Sequence, residues 1–309
     1  MGFISSSSYH TLVTPHTFYN NIQYGYENKE VLDIWIPTSV PTTGIVVHFH
    51  GGGFVALDKT GISLTDVENF LSNGIAIATV NYPFVNTDIE LNGFRKAFDS
   101  GVRAVKFLKF WATFFNLDKN KFVIRGSSAG TGIAQHIGYN TFAAGGGSAI
   151  EDEDADVVAI ALQGPQAGYW YPQWESVIFA DFVSSGYDVS CQYDDDPAAK
   201  QRVDRTYGNG FDEWSDFEDP TFTTLRDSYY DMLSNIAVKS VPTRVWSASS
   251  LELVVDDCIL FDQEHSPYQG KAIRDALVAA GQEVLADLNG LEDTTGGESE
   301  LDFIIRKIG

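Results

Sequence analysis

Gly126-Ser127-Ser128-Ala129-Gly130 sets a serine between two glycines in the spacing G-x-S-x-G. The apolar run Phe122-Val123-Ile124 precedes it and an apolar stretch of helical spacing follows, so these residues fall where a strand gives way to a helix. Such a turn is too tight for side chains beside the serine, and its bend lifts the Ser128 hydroxyl above the sheet as a nucleophile. A second stretch, His50-Gly51-Gly52-Gly53-Phe54, follows another near-continuous apolar run at 45–49, about 75 residues earlier. Glycines allow the backbone to approach a substrate closely and leave N–H groups free to face a developing oxyanion.

A serine hydroxyl needs a base, and the chain has six histidines. His136 lies eight residues beyond Ser128 on the same expected helix, hence about 12 Å along its axis and out of reach of the hydroxyl proton. His48 belongs to a strand interior, as a core imidazole would. His10 and His16 sit in an N-terminal segment that no pattern brings to the site. Beside His50, which belongs to the glycine stretch, His265 remains, in Asp262-Gln263-Glu264-His265-Ser266-Pro267 between an expected strand at 243–249 and an expected helix at 267–280. That connection emerges at the carboxyl edge of the sheet, the same edge as Ser128, where open α/β sheets build their sites. The competing role for His265 is that of a surface residue at the start of a helix. The acid that would orient the imidazole is sought among Glu252, Asp256, Asp257 and Asp262. Asp257 is preferred, because Asp is the commoner orienting group and a loop of intermediate length lets the chain reverse; Glu252 comes soonest after the strand.

These residues require a frame, and the hydrophobic pattern supplies one. Strands are expected at 29–37, 44–50, 74–82, 121–125, 157–163, 243–248 and 283–288, with helical stretches near 63–73, 93–115, 267–280 and 299–307 and one beginning near Ser128. Alternation of strand and helix predicts an α/β fold with a largely parallel sheet. Residues 165–240 are rich in Trp, Tyr, Phe and Asp with weak periodicity, the pattern of a cap over the sheet. One domain over 1–309 with that insertion is the expected organisation.

His50-Gly51-Gly52-Gly53 and Gly126-Ser127-Ser128-Ala129-Gly130, with Asn81-Tyr82 between them, resemble the hormone-sensitive-lipase-like branch of the α/β-hydrolase esterases, and the order of elements agrees over residues 30–288. The resemblance implies an α/β-hydrolase fold, a mostly parallel central sheet with flanking helices and an inserted cap. It implies Ser128 as nucleophile and the backbone N–H groups of Gly52, Gly53 and Ala129 as the oxyanion hole, with His50 orienting the glycine loop. It also implies an acid just after the strand at 243–249, near Glu252, and a histidine after the last strand, near Asn289. Residues 289–298 read Asn-Gly-Leu-Glu-Asp-Thr-Thr-Gly-Gly-Glu and contain no histidine. Either another histidine has taken the role or hydrolysis has been lost.

Composition narrows the field. A net charge of −22, from 42 acidic and 20 basic residues, repels phosphate backbones and anionic headgroups, so nucleic acid is not an expected partner. No apolar run reaches the roughly 18 residues of a membrane span, and the first residues lack a basic and then apolar leader; the expectation is a soluble, cytoplasmic chain without an export signal. Cys191 and Cys258 lie far apart and outside any CxxC pattern, which predicts neither a disulfide framework nor a thiolate metal site. No metal or organic cofactor is expected, and no oligomeric state is indicated. The expected function is a serine carboxylesterase acting on small to medium esters. Its rivals are a hydrolase-fold protein that has lost hydrolysis and binds a ligand, and an elimination or condensation catalyst that uses the oxyanion hole. Tyr169, Trp170, Tyr171, Trp174 and Phe179 predict either an apolar acyl pocket or plain core.

Overall fold

The computed structural model describes residues 12–85, 93–142, 148–185, 206–207, 226–249, 254–255, 258–259 and 263–309. Nine strands form one sheet in the order β1-β2-β4-β3-β5-β6-β7-β10-β11. They are β1 (His16–Gln23), β2 (Val31–Pro37), β3 (Thr43–Phe49), β4 (Ala76–Val80), β5 (Leu117–Ser127), β6 (Ala159–Gln163), β7 (Thr243–Ser247), β10 (Val284–Leu288) and β11 (Glu292–Asp293). A separate two-residue pair, β8 (Val254–Val255) with β9 (Cys258–Ile259), lies between β7 and β10 in sequence. From β4 through β10 neighbouring strands run parallel; β1, β2 and β11 are the antiparallel additions.

β3, β4 and most of β6 are buried along their lengths, which explains why they read in the sequence as continuous apolar runs instead of alternating ones. Helices cover both faces. They are α1 (Leu64–Ser72), α2 (Arg95–Phe110), α3 (Ala112–Phe115), α4 (Ala129–Tyr139), α5 (Tyr171–Gln173), α6 (Ala180–Ser184), α7 (Met232–Val238), α8 (Pro267–Ala279) and α9 (Glu300–Ile308). Phe98 of α2, Ile133 and Ile137 of α4, and Ile273 and Leu277 of α8 pack into one core. Val67, Phe70 and Leu71 of α1 join Phe303, Ile304 and Ile308 of α9 in the other. Among the described residues, no helix is long and apolar enough to cross a membrane.

Helix starts follow local chemistry. Ser63, Ser266 and Ser299 cap α1, α8 and α9 by accepting a backbone N–H. Pro267 occupies the first turn of α8, where its missing N–H costs nothing. The expected helix at 93–115 divides into α2 and α3, and Asn116 ends the second in a left-handed conformation. β1 and β11 were not expected from the pattern. β1 is an edge strand whose register shifts between Tyr19 and Ile22, where Asn21 takes φ 50°; the irregularity interrupts the alternation that would have announced it.

Candidate active site

The G-x-S-x-G motif falls on the turn from β5 into α4. Ser128 has φ 49° and ψ −121°, a sparsely populated conformation for a residue with a side chain. Its N–H donates to the Gln163 carbonyl at 2.8 Å, and its carbonyl accepts from the Thr131 N–H at 2.8 Å and the Thr131 hydroxyl at 2.6 Å. The flanking glycines are required by contact: a Cβ on Gly126 would stand 2.4 Å from the Gly130 oxygen, and one on Gly130 would stand 2.2 Å from the Phe49 oxygen. Any side chain there would push α4 away from β3 and β5.

His265 meets Ser128. Its Nε2 lies 2.7 Å from the Ser128 Oγ, a direct hydrogen bond between residues 137 apart in sequence. The histidine ends a short 3-10 turn, Gln263–His265, and the three carbonyls of that turn are each held: Gln263 by the Gln269 side-chain amide at 3.1 Å, Glu264 by that of Gln166 at 3.0 Å, and His265 by the Ser247 hydroxyl at 2.9 Å. The helix cap is Ser266, whose hydroxyl accepts from the Tyr268 N–H, so capping does not account for His265. Asp257, Glu252 and Asp256, together with Asp262, lie outside the described residues.

The glycine loop after β3 turns beside this pair. Gly52 takes φ 101°, and its carbonyl accepts from the N–H groups of Val55 and Ala56, both at 3.0 Å. Gly53 and Phe54 follow at φ 59° and 61°. Phe54 offsets that backbone cost by burial, packing 4.0 Å from Phe94 between ring centroids. Gly53 and Ala129 border one cavity with Ser128 and His265. Ala129 opens α4, and the first N–H groups of a helix have no partner within it.

His50 is buried and its ring stacks on Tyr82 with centroids 4.5 Å apart. Its Nδ1–H donates to the Gly51 carbonyl at 2.7 Å, while the Tyr82 hydroxyl donates to the His50 carbonyl at 2.7 Å. Burial lowers the His50 pKa, and burial holds His48 well below the usual histidine range. Both imidazoles are thereby kept neutral. His136 is packed between Phe98 and Tyr229, and burial pushes its pKa down to about 3. His16 lies in β1 at the far edge of the sheet, and its Nδ1 bonds the Thr14 carbonyl. His10 is outside the described residues.

The cavity has a volume of about 260 Å³. Phe94, Tyr169, Tyr171 and Trp174 form much of its wall. The polar atoms of two of these rings are turned to protein partners: the Tyr169 hydroxyl donates to Gln166 Oε1 at 2.8 Å, and the Tyr171 hydroxyl pairs with the Thr206 hydroxyl at 2.9 Å. Of the aromatics noted in the sequence, Tyr169, Tyr171 and Trp174 face the cavity; Trp170 and Phe179 are core. Gln163 and Gln166 were missed by sequence reasoning. Gln163 closes an ordinary strand and Gln166 follows it, and no local pattern marks a glutamine whose partners come from distant segments.

The comparisons agree with this architecture. Residues 32–159, which include both glycine motifs, match the family model described as BD-FAE. No curated protein matches the sequence. An acetyl ester-xyloside bifunctional hydrolase from Caldicellulosiruptor lactoaceticus superposes with a TM-score of 0.59 at 16% identity, covering 93% of this chain and 90% of that one. Esterase B from Lactobacillus rhamnosis gives 0.60 at 14% identity, covering 97% and 87%. A fungal esterase from Rhizomucor miehei gives 0.56 at 17%, covering 97% and 83%. The chain has the α/β-hydrolase fold, as the resemblance implied.

Proposed function

We propose that the protein is a serine carboxylesterase whose nucleophile is Ser128 and whose base is His265. The observation that carries this reading is the 2.7 Å bond between Ser128 Oγ and His265 Nε2 at the mouth of a strand-to-helix turn. Ser128 Oγ attacks the ester carbonyl while His265 takes its proton, then returns it to the departing alcohol; water attacks the acyl-enzyme by the same route. The N–H groups of Gly52, Gly53 and Ala129 hold the developing oxyanion, Gly53 and Ala129 being residues of the cavity wall. The acid that orients His265 comes from the connection between β7 and α8, with Asp257 preferred over Glu252. His50 keeps the glycine loop in place, as the likeness to hormone-sensitive-lipase-like esterases implies, and Tyr82 supports it through its ring stack and its bond to the His50 carbonyl.

This arrangement departs from that branch in one respect. The histidine is supplied after β7, where the branch places its acid, and not after the last parallel strand. The esterase names borne by the structural neighbours support ester hydrolysis as the chemistry. Residues 165–240 act as the cap of a single domain, contributing Tyr169, Tyr171, Trp174 and Thr206 to the pocket. A cavity of about 150 Å³ holds benzene, six non-hydrogen atoms; on that scale the 260 Å³ here takes about ten, which makes the substrates small to medium carboxylic esters.

A fluorophosphonate probe tests the reading. Labelling of the parent at Ser128, absent in Ser128→Ala, is the expected result. A folded parent that neither reacts with the probe nor hydrolyses p-nitrophenyl acetate would overturn it and leave a ligand-binding protein or an elimination or condensation catalyst.

A further inference from the structure

Gln163 closes β6, opposite Ser127 in the parallel pairing of β5 with β6. It grips the nucleophile's turn at two points. Its carbonyl accepts the Ser128 N–H at 2.8 Å, and its side-chain Oε1 accepts the Ser127 hydroxyl at 2.8 Å. The other end of the same amide, Nε2, donates to Glu300 Oε2 at 3.0 Å. Glu300 Oε1 in turn accepts from Arg125 Nε at 2.7 Å, and Arg125 Nη2 reaches Asp66 at 3.0 Å. The direction of this chain is fixed by chemistry: an ionised carboxylate only accepts, so the amide must turn its NH₂ to Glu300 and its oxygen to Ser127. Arg125 sits on β5 three residues before Ser128, its side chain 8% exposed. The ring of contacts therefore runs from the residue before the nucleophile, through β6 and the first turn of α9, and back into the nucleophile's own strand.

We infer that Gln163 is a positioning residue for Ser128, and that Glu300 of the C-terminal helix α9 holds it in that task. The inference rests on Ser128 as nucleophile. Ser128 is held at φ 49°, a conformation that persists only where its surroundings over-determine it. The bonds from Gln163 to Ser127 and to Ser128 itself contribute to that determination. A bland role, anchoring α9 to the sheet through Glu300, would show in the melting temperature and leave kcat unmoved.

Variants Gln163→Ala, Gln163→Glu, Glu300→Gln and the exchange Gln163→Glu/Glu300→Gln are compared with the parent and with Ser128→Ala. The readouts are kcat, KM, the rate of fluorophosphonate labelling and the melting temperature. Gln163→Ala is expected to lower kcat and the labelling rate by about 10–100-fold, since a displacement of about 1 Å costs on that order, with KM nearly unchanged. Gln163→Glu sets two carboxylates together and should do at least as badly. The exchange restores every bond with the same net charge: the new carboxylate accepts from Ser127 and from the new amide, whose oxygen accepts from Arg125. Its kcat should return to within about threefold of the parent.

Parental kcat in Gln163→Ala, with activity lost in Ser128→Ala, would overturn this inference and spare the esterase reading. Turnover retained by Ser128→Ala would overturn both. Should Gln163→Ala fail to fold, the exchange decides: a recovered melting temperature with kcat still at the level of Gln163→Glu assigns the glutamine to anchoring alone and refutes the positioning role.

Discussion

His265→Ala removes the imidazole and little else. The ring reaches Ser128 Oγ at 2.7 Å without an intervening group, so its loss removes the proton acceptor outright. Members of such a unit do not act additively, and losing one typically costs on the order of 10⁴–10⁶ in kcat. That corresponds to about 5–8 kcal/mol of transition-state stabilisation at about 1.36 kcal/mol per decade. The structural cost should be far smaller. His265 is only partly buried, and the bonds that secure its turn run to main-chain carbonyls that alanine retains. A loss of about 1 kcal/mol of stability, hence roughly 2–4 °C in melting temperature, is expected. Hydrolysis of p-nitrophenyl acetate and a thermal melt on one preparation measure both. The parent's rate should also fall in acid, because a protonated imidazole accepts no proton. Full turnover with a slightly lowered melting point would refute the assignment and return His265 to the role of a residue at a helix start.

Two further outcomes follow from the packing. On p-nitrophenyl esters of increasing chain length, activity should fall steeply beyond about eight carbons, and Trp174→Ala, by removing a buried indole from the cavity wall, should move that limit outward; a flat profile to twelve carbons in the parent would show that the aromatic wall sets no limit. His136 is buried between rings with its pKa pushed down to about 3, below the unfolded value near 6.5, so its contribution to stability is present above about pH 6.5 and is lost as pH falls from there toward 3. His136→Phe keeps the stack on Phe98 and Tyr229 and removes that proton; urea unfolding at pH 7 and 4.5 should show the variant losing less stability than the parent, by up to about 1.36 kcal/mol per pH unit, and equal losses would refute it.

The sequence by itself determined the frame and singled out Ser128 as the proposed nucleophile. Continuous apolar runs marked β3, β4 and β6 because strands buried on both faces have no polar side to alternate, and the glycines at 126 and 130 announced the turn because only residues without a Cβ survive its contacts. Ser63, Ser266 and Ser299 set the starts of α1, α8 and α9 for similarly local reasons. β1 escaped because an edge strand with a left-handed asparagine carries no clean period. His265 was reached by eliminating the other histidines, and its distance from Ser128 could not be read from 137 intervening residues; only the parallel order of β5, β6 and β7 brings the connection after β7 beside the turn after β5. The same holds for Tyr82 against His50 and for Gln166 against Glu264. The clamp of Gln163 and Glu300 is the extreme case, since its members come from β5, β6 and the last helix. A hydrogen bond between side chains needs donor and acceptor within about 3 Å, and between segments so distant in sequence that proximity is a property of the folded sheet alone.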